Sequence, residues 1–143
     1  MKLIRGDITK LEIDCIVNAA NENLMPGGGV CGAIHLAAGK ELAKECKMIG
    51  NCGVGEARIT KGYQLKAQHV IHTVGPVWHG GENGENQYLF NCYKKSLLLS
   101  THHGIESIAF PNISTGIFGY PKELAAETAI AAVKQHQRSG RKL

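Results

Sequence analysis

The chain has 143 residues, 43% of them hydrophobic and 20% charged, which suits one globular domain and is too short for two. It contains no run of about eighteen apolar residues, and its N-terminal apolar stretch is too short for a secretion signal, so we expect a cytoplasmic protein that does not contact a membrane. The net charge of +4 comes from the last ten residues, because the rest holds 12 basic and 12 acidic residues; this neutral body argues against a nucleic-acid partner.

The apolar patterns predict strands that alternate with helices. Short apolar runs predict strands at residues 2–5, 13–18, 57–61, 70–74 and 108–111. Helical spacing of apolar residues predicts helices at residues 30–38, 41–48, 87–103 and 124–137, the last with Pro121 near its start. Several strands are apolar on both faces, and the one at 108–111 is expected to be buried. The pattern therefore predicts an α/β sheet covered by helices.

The five cysteines do not form a recognisable metal or disulfide pattern. Their number is odd and none belongs to a C-x-x-C pair, so we expect free thiols in a reducing compartment. Cys46 and Cys52 are six positions apart, which is poor spacing for zinc, and no metal site is predicted. Four residues in apolar patterns are predicted to be core groups without a chemical role: Cys15, Cys92, His35 and His72.

Two glycine-rich loops, each between a predicted strand and a predicted helix, indicate a binding site. The first is Asn18-Ala19-Ala20-Asn21 followed by Gly27-Gly28-Gly29-Val30-Cys31, and the second is Ser114-Thr115-Gly116-Ile117-Phe118-Gly119-Tyr120-Pro121. Loops of this kind present backbone N–H groups at a helix N-terminus, which can hold phosphate without a lysine. Together they predict a ligand with two phosphates, or one phosphate held from both sides.

Neither loop matches the common nucleotide-binding motifs. The chain has no G-x-x-x-x-G-K-[ST] sequence, and Gly27-Gly28-Gly29 lacks the spacing of the dinucleotide fingerprint. Ligands of open α/β folds bind at the carboxyl ends of the strands, so we expect one crevice there. Small or polar residues follow four of the predicted strands, at Asp7, at Asn18 with Asn21, at Gly75 and at Ser114.

Six segments between residue 4 and about residue 137 match one family in order. They are Gly6-Asp7-Ile8-Thr9, Asn18-Ala19-Ala20-Asn21, the glycine loop with Ala33-Ile34-His35, Gly55-Glu56-Ala57, His72-Thr73-Val74-Gly75-Pro76 and the loop that begins at Ser114. These segments resemble macro domains, and most of all the bacterial O-acetyl-ADP-ribose deacetylases and related mono-ADP-ribosyl hydrolases. The resemblance implies a three-layer α/β/α sandwich with a mixed central sheet. It also implies binding of ADP-ribose, its O-acyl esters or mono-ADP-ribosylated proteins, without a metal or redox cofactor.

The resemblance assigns roles to individual residues. Asp7 would be a buried carboxylate that accepts a hydrogen bond from the adenine amino group, with the Ile8 backbone alongside, and Asn21 would bind the distal ribose. The first loop would pass close to that ribose and the phosphates at Gly28, Gly29 and Val30. The second loop would cradle the diphosphate and pack an aromatic ring on the ribose, using Ser114, Thr115, Gly116, Ile117, Phe118 and Tyr120.

Cys31 departs from the hydrolytic branch, in which an aspartate follows Gly-Gly-Gly-Val and orients the attacking water. A thiol lacks the second oxygen and the standing charge of a carboxylate, so we expect weakened general-base function there. The residues expected to carry the reaction are Asn21, which would position the water, and Cys31. Three hypotheses stay open: a hydrolase of ester-linked ADP-ribose, a reader that binds ADP-ribose without turnover, and, more weakly, RNA binding through the adenine pocket and the basic tail.

The C-terminal end is a second departure from the family pattern. Resembling proteins continue past this point with a strand that lies inside the sheet and a closing helix, whereas this sequence stops at Leu143. We therefore expect a single macro domain over residues 1–143 that lacks this strand and helix relative to the family. An absent internal strand would leave unpaired backbone and exposed apolar surface.

Overall fold

The centre of the fold is a four-stranded sheet, seen in a computed structural model that describes residues 1–139. The strands are β1 (Cys15–Ala19), β2 (Ala57–Lys61), β3 (His69–Thr73) and β4 (Ile108–Ala109), in the order β2-β3-β1-β4. β1 runs parallel to both of its neighbours, β3 and β4, whereas β2 runs antiparallel to β3, so the sheet is mixed. Two basic residues of the C-terminal tail lie outside the described range, Arg141 and Lys142.

Helices cover both faces of the sheet. α1 (Gly29–Ala38) and α2 (Lys40–Ile49) pack on one face, and α3 (Glu85–His102) and α4 (Lys122–Arg138) pack on the other. Each predicted helix is present, with ends that differ from the prediction by no more than two residues, and Pro121 directly precedes α4. Within the described range, none of the helices combines the length and the apolar character that a bilayer crossing requires. The α/β/α architecture is therefore confirmed.

Side chains that alternate along the central strands form a separate core on each side of the sheet. Ile16 and Val70 pack with α1 and α2, whereas Val17 and Ile71 pack with α3 and α4, and all four are fully buried. Burial of an aliphatic side chain of this size contributes about 1.5–3 kcal/mol, so the two-sided burial of β1 and β3 is a large stabilising term. The two cysteines predicted to be core groups, Cys15 and Cys92, belong to the second core, as expected.

Two of the predicted strands differ from the structure. Residues 2–5 form no strand and their side chains are exposed. The strand predicted at 108–111 is reduced to the two residues of β4, which are half-buried rather than buried. The difference lies in strand pairing. An apolar run becomes a strand only when a neighbouring strand hydrogen-bonds to its backbone. Within residues 1–139, only β1 pairs with β4.

A buried polar cluster joins β1, β2 and β3. His72 in β3 is fully buried, as predicted, and its Nδ1 accepts a hydrogen bond of 3.1 Å from Nδ2 of Asn18 in β1. Its Nε2 lies 2.9 Å from the hydroxyl of Thr60 in β2, which itself donates to the Lys61 carbonyl, so Nε2–H is the donor to Thr60. Burial, with a smaller effect of the nearby His35, lowers the pKa of His72 to about 3 and keeps its ring neutral.

His72 should make the protein less stable as the pH falls. The unfolded chain protonates this histidine below about pH 6.5 while the folded chain does not, so its contribution should lower the free energy of unfolding by about 2 kcal/mol between pH 7 and pH 5. A His72→Gln variant keeps a polar side chain but does not titrate, and should lose this part of the pH dependence. Urea denaturation at both pH values measures it, with the exposed His79→Gln as control. Equal pH dependence in wild type and His72→Gln would contradict the assignment.

Candidate functional site

The two glycine-rich loops leave the same edge of the sheet, where the parallel strands end. The chain leaves β1 at Ala20, whose N–H donates to the Thr73 carbonyl at the end of β3 over 2.8 Å. The segment after β3 reaches Gly75, which packs against Ile113 and Ser114 in the segment after β4. A Cβ at Gly75 would overlap the Ser114 side chain, so glycine is required for this approach. Both loops therefore lie at the edge of the sheet where the sequence predicts a crevice.

The first loop is closed by the side chain of Asn21. Its amide nitrogen donates to the Met25 carbonyl over 2.8 Å, and its amide oxygen accepts from the Met25 N–H over 3.0 Å. Farther along, Gly32 lies so close to the Gly27 carbonyl that a Cβ at position 32 would overlap it. These contacts fix the path of the chain into α1.

The start of α1 presents backbone N–H groups that have no partner within the described chain. Its N-cap residue, Gly28, has no side chain to cap the helix. The N–H groups of Gly29, Val30 and Cys31 donate to no protein acceptor in residues 1–139. The helix dipole adds partial positive charge at this end, so the first turn of α1 is suited to an anion.

Cys31 lies in this first turn with its thiol held between β1 and the first loop. The side chain is 5% exposed. Its sulfur lies 3.7 Å from Nδ2 of Asn18, and its S–H faces the Met25 carbonyl at an Sγ–O distance of 3.6 Å. Chemically, residue 31 thus offers a weak hydrogen-bond donor and acceptor and no carboxylate oxygen for a water molecule.

Asn18 is a residue whose role the sequence did not identify. It is fully buried in β1, and its amide nitrogen contacts both the Cys31 sulfur and His72 Nδ1. Its amide oxygen has no hydrogen-bond partner within residues 1–139. The sequence does show a polar amide within an apolar strand, and this pattern could have pointed to Asn18, because such a group needs hydrogen-bond partners in the core.

The second loop presents another set of unpartnered N–H groups. Ser114 is buried with a φ of +66°, and its carbonyl accepts a hydrogen bond of 2.9 Å from the Tyr120 N–H, which closes the loop at its base. At the tip, the N–H groups of Gly116, Ile117 and Phe118 donate to no acceptor in the described part of the chain. A left-handed conformation costs a non-glycine residue about 1–3 kcal/mol, so the rest of the fold imposes this loop shape.

Two aromatic residues of the second loop take different positions. Tyr120 is 3% exposed and packs against Trp78, with the ring centroids 4.8 Å apart. Phe118 is half-buried, and its carbonyl accepts a hydrogen bond of 2.9 Å from the backbone N–H of Trp78. Phe118 is therefore the ring nearer to the surface of the loop, whereas Tyr120 supports the loop from inside. The sequence did not identify Trp78.

Asp7 is exposed, so the prediction of a buried carboxylate is wrong. It caps a short 3-10 helix (Ile8–Lys10), where its carboxylate accepts from the Thr9 hydroxyl over 2.6 Å and from the Thr9 N–H over 2.9 Å. These bonds, the hydroxyl first, lower the pKa of Asp7. Asp7 is exposed because residues 2–5 before it do not join the sheet. Ile8 instead packs against the core that includes α1.

The remaining candidate groups are buried histidine and cysteine side chains. His35 is buried on α1, as expected, with its ring centroid 6.4 Å from that of His72, and burial lowers its pKa. All five cysteines are buried and free. Among residues 1–139, no three His, Cys, Asp or Glu side chains are grouped so that they could hold a metal ion.

A family model of the macro domain matches residues 17–129. The chain belongs to the macro domain family. It is 58% identical over 132 residues to macro domain-containing protein CT2219 of Chlorobaculum tepidum, covering 92% of this chain and 77% of that protein. It is 54% identical over 136 residues to ADP-ribose glycohydrolase MACROD1 of Bos taurus, covering 94% of this chain and 42% of that protein.

A solved macro domain has the same fold. The crystal structure of the Trypanosoma brucei macrodomain in complex with ADP-ribose superposes with a TM-score of 0.88 at 44% identity. The match covers 94% of this chain and 56% of that one. The family and the fold inferred from the sequence motifs are therefore both confirmed.

Gly32→Ala should destabilise this macro domain, because the added Cβ would overlap the Gly27 carbonyl in the first loop. We expect a loss of about 1–3 kcal/mol in the free energy of unfolding, as for other overpacking substitutions. Urea denaturation measures the loss. Gly6→Ala is the matched control, since a Cβ at the exposed Gly6 meets no atom within 4 Å. If both variants kept wild-type stability, the close approach of Gly32 to Gly27 would be refuted.

Proposed function

We propose that this macro domain binds ADP-ribose between its two glycine-rich loops and hydrolyses ester-linked ADP-ribose, either O-acetyl-ADP-ribose or ADP-ribosylated acidic side chains. The observation that carries the proposal is the presence of two sets of unpartnered N–H groups, one at the start of α1 and one in the second loop. The second loop and the glycine run 27–32 contain no Lys or Arg. Backbone donors alone can hold a diphosphate, because they supply directed partial charge at close range.

Two relatives support the ligand and the reaction class. The Trypanosoma brucei macrodomain was solved in complex with ADP-ribose, and the Bos taurus relative is an ADP-ribose glycohydrolase. This chain shares 44% and 54% of its aligned residues with them. We extend the ligand to this chain because the loops that would hold it keep their backbone donors unpaired.

In the proposed complex, the second loop donates its N–H groups to the diphosphate, and the half-buried Phe118 packs on the ribose. Asn21 has one amide N–H left after its bond to Met25, and this N–H would donate to the distal ribose. Asp7 would accept from the adenine amino group next to the Ile8 backbone, and its exposed carboxylate is accessible for that bond.

The proposed reaction is attack of water on the ester carbonyl carbon, with the ribose hydroxyl as leaving group. The attacking water must lose a proton, and the leaving oxygen must gain one. A carboxylate at position 31 would accept the first proton, but the Cys31 S–H faces the Met25 carbonyl as a donor. We infer that Asn21 positions the water and that the substrate's own diphosphate takes the proton and returns it to the leaving ribose oxygen, so that turnover is slow.

The same residue favours a second candidate function, a reader that binds ADP-ribose without useful turnover. Such a protein needs the backbone donors of both loops and no base. Cys31 fills the space between Asn18 and Met25 without supplying a carboxylate, which is sufficient for binding. The two functions share one pocket and differ only in whether the bound ester is hydrolysed.

Cys31→Asp should raise the turnover of O-acetyl-ADP-ribose by about 100-fold or more, since a general base contributes typically 100- to 10,000-fold. Release of ADP-ribose measures turnover, and calorimetry with ADP-ribose measures binding in each protein. Cys31→Ser is the matched control, because serine is similar in size and carries no standing charge. Its turnover should stay near that of the wild type.

Three outcomes of this experiment are distinct. Measurable turnover by the wild type supports the hydrolase. A wild type that binds ADP-ribose but is inert, with turnover restored by Cys31→Asp, supports the reader. A wild type that does not bind ADP-ribose overturns both candidates.

The affinity for ADP-ribose should depend only weakly on salt. Backbone N–H donors carry no net charge, and a small ligand has no condensed counterions to release, unlike a polyanion such as RNA. We expect Kd to change by less than about threefold between 50 and 200 mM NaCl, whereas RNA binding through basic residues falls steeply over the same range. Calorimetry at both salt concentrations measures the Kd for ADP-ribose, and an oligoadenylate RNA in the same buffers is the comparison. A steep loss of ADP-ribose affinity would contradict recognition by the backbone.

A further inference from the structure

Glu85, the first residue of α3, accepts hydrogen bonds from the backbone of the segment that precedes it. The side chain is 1% exposed, whereas glutamates in folded proteins mostly lie in water. Its Oε2 accepts from the N–H groups of His79 over 2.8 Å and Gly81 over 2.9 Å, and its Oε1 accepts from the N–H of Asn83 over 2.6 Å. Both oxygens are used, so the cost of burying the carboxylate is offset by hydrogen bonds that close residues 79–84 into a compact turn.

The turn requires a carboxylate in particular. The backbone bonds, that of His79 first, lower the pKa of Glu85 to about 2, so the group stays charged near neutral pH. The N-terminal position in α3 also favours a negative charge. A glutamine would fit the space but would direct an NH₂ group at backbone donors, and the turn would lose an acceptor.

The closed turn holds Trp78 against the second loop. Gly81 has a φ of +91° and packs on the edge of the indole, where a Cβ would lie 2.8 Å from the ring. The indole packs on Tyr120, and the backbone N–H of Trp78 donates to the Phe118 carbonyl. Trp78 therefore contacts the second loop at two points, on either side of Gly119.

We propose that Glu85 is a positioning residue for the second loop. It closes the turn 79–84, and through Trp78 it keeps Phe118 and Tyr120 in the arrangement that leaves the N–H groups of the loop tip free for a ligand. The inference rests on the proposed function in one respect, since ADP-ribose is the ligand whose affinity reports on the loop. Glu85 acts through Trp78 and needs no contact with that ligand.

Trp78 is the one tryptophan of the sequence, so its fluorescence reports on the turn directly. In ligand-free Glu85→Gln we expect red-shifted emission and stronger quenching by acrylamide than in the wild type. The Kd for ADP-ribose should rise about tenfold, as it does when the competent loop conformation falls to about a tenth of the population. Glu41→Gln is the matched control, because Glu41 pairs with Lys44 at the surface, and this variant should match the wild type in both readouts.

Glu85→Asp separates positioning from loss of folding. It keeps the charge on a shorter side chain, so its quenching and Kd should lie between those of the wild type and Glu85→Gln, and it carries the test if Glu85→Gln does not fold. Unchanged fluorescence in folded Glu85 variants overturns the proposal, and so does changed fluorescence with unchanged affinity. If the wild type fails to bind ADP-ribose, the proposed function falls, while the ligand-free fluorescence still decides whether Glu85 holds Trp78.

Discussion

The parallel pairing of β1 with a neighbour on each side is the constraint from which the site follows. Because β3 and β4 both run in the direction of β1, the segments that leave all three strands emerge at one edge of the sheet. β2 runs the other way and sends its carboxyl end to the opposite edge. The helices that follow β1 and β4 must therefore begin at the shared edge, and the loops before them lie at that edge together.

The packing below this edge holds β1 in place and connects the edge to the core. Ile16 and Val17 anchor β1 to helices on opposite faces, so the strand cannot shift without disturbing both cores. At its carboxyl end, the single amide nitrogen of Asn18 contacts both His72 in the core and Cys31 in the first turn of α1. The buried cluster is thus in direct contact with the residue that stands where the family resemblance implies an aspartate.

The sequence predicted those parts of the fold that depend on local pattern. The helices and the central strands follow from apolar spacing, and both loops follow from glycines between a strand and a helix. The strand expected at residues 2–5 failed because strand formation depends on a neighbour far away in sequence, and the burial expected of Asp7 failed with it. The Glu85 turn was missed for a similar reason, since it needs three backbone donors and a distant aromatic pair that no spacing rule reports.

A surface made of main-chain N–H groups does not depend on the identity of the side chains beside it. Ile117 at the tip of the second loop is fully exposed, so many residues could replace it and still present the same N–H. The base of the loop is different, because Gly75 admits no Cβ beside Ser114. Over evolutionary time, mutations can therefore accumulate at the tip and change the side chains beside these N–H groups, while the base preserves the loop shape that presents them.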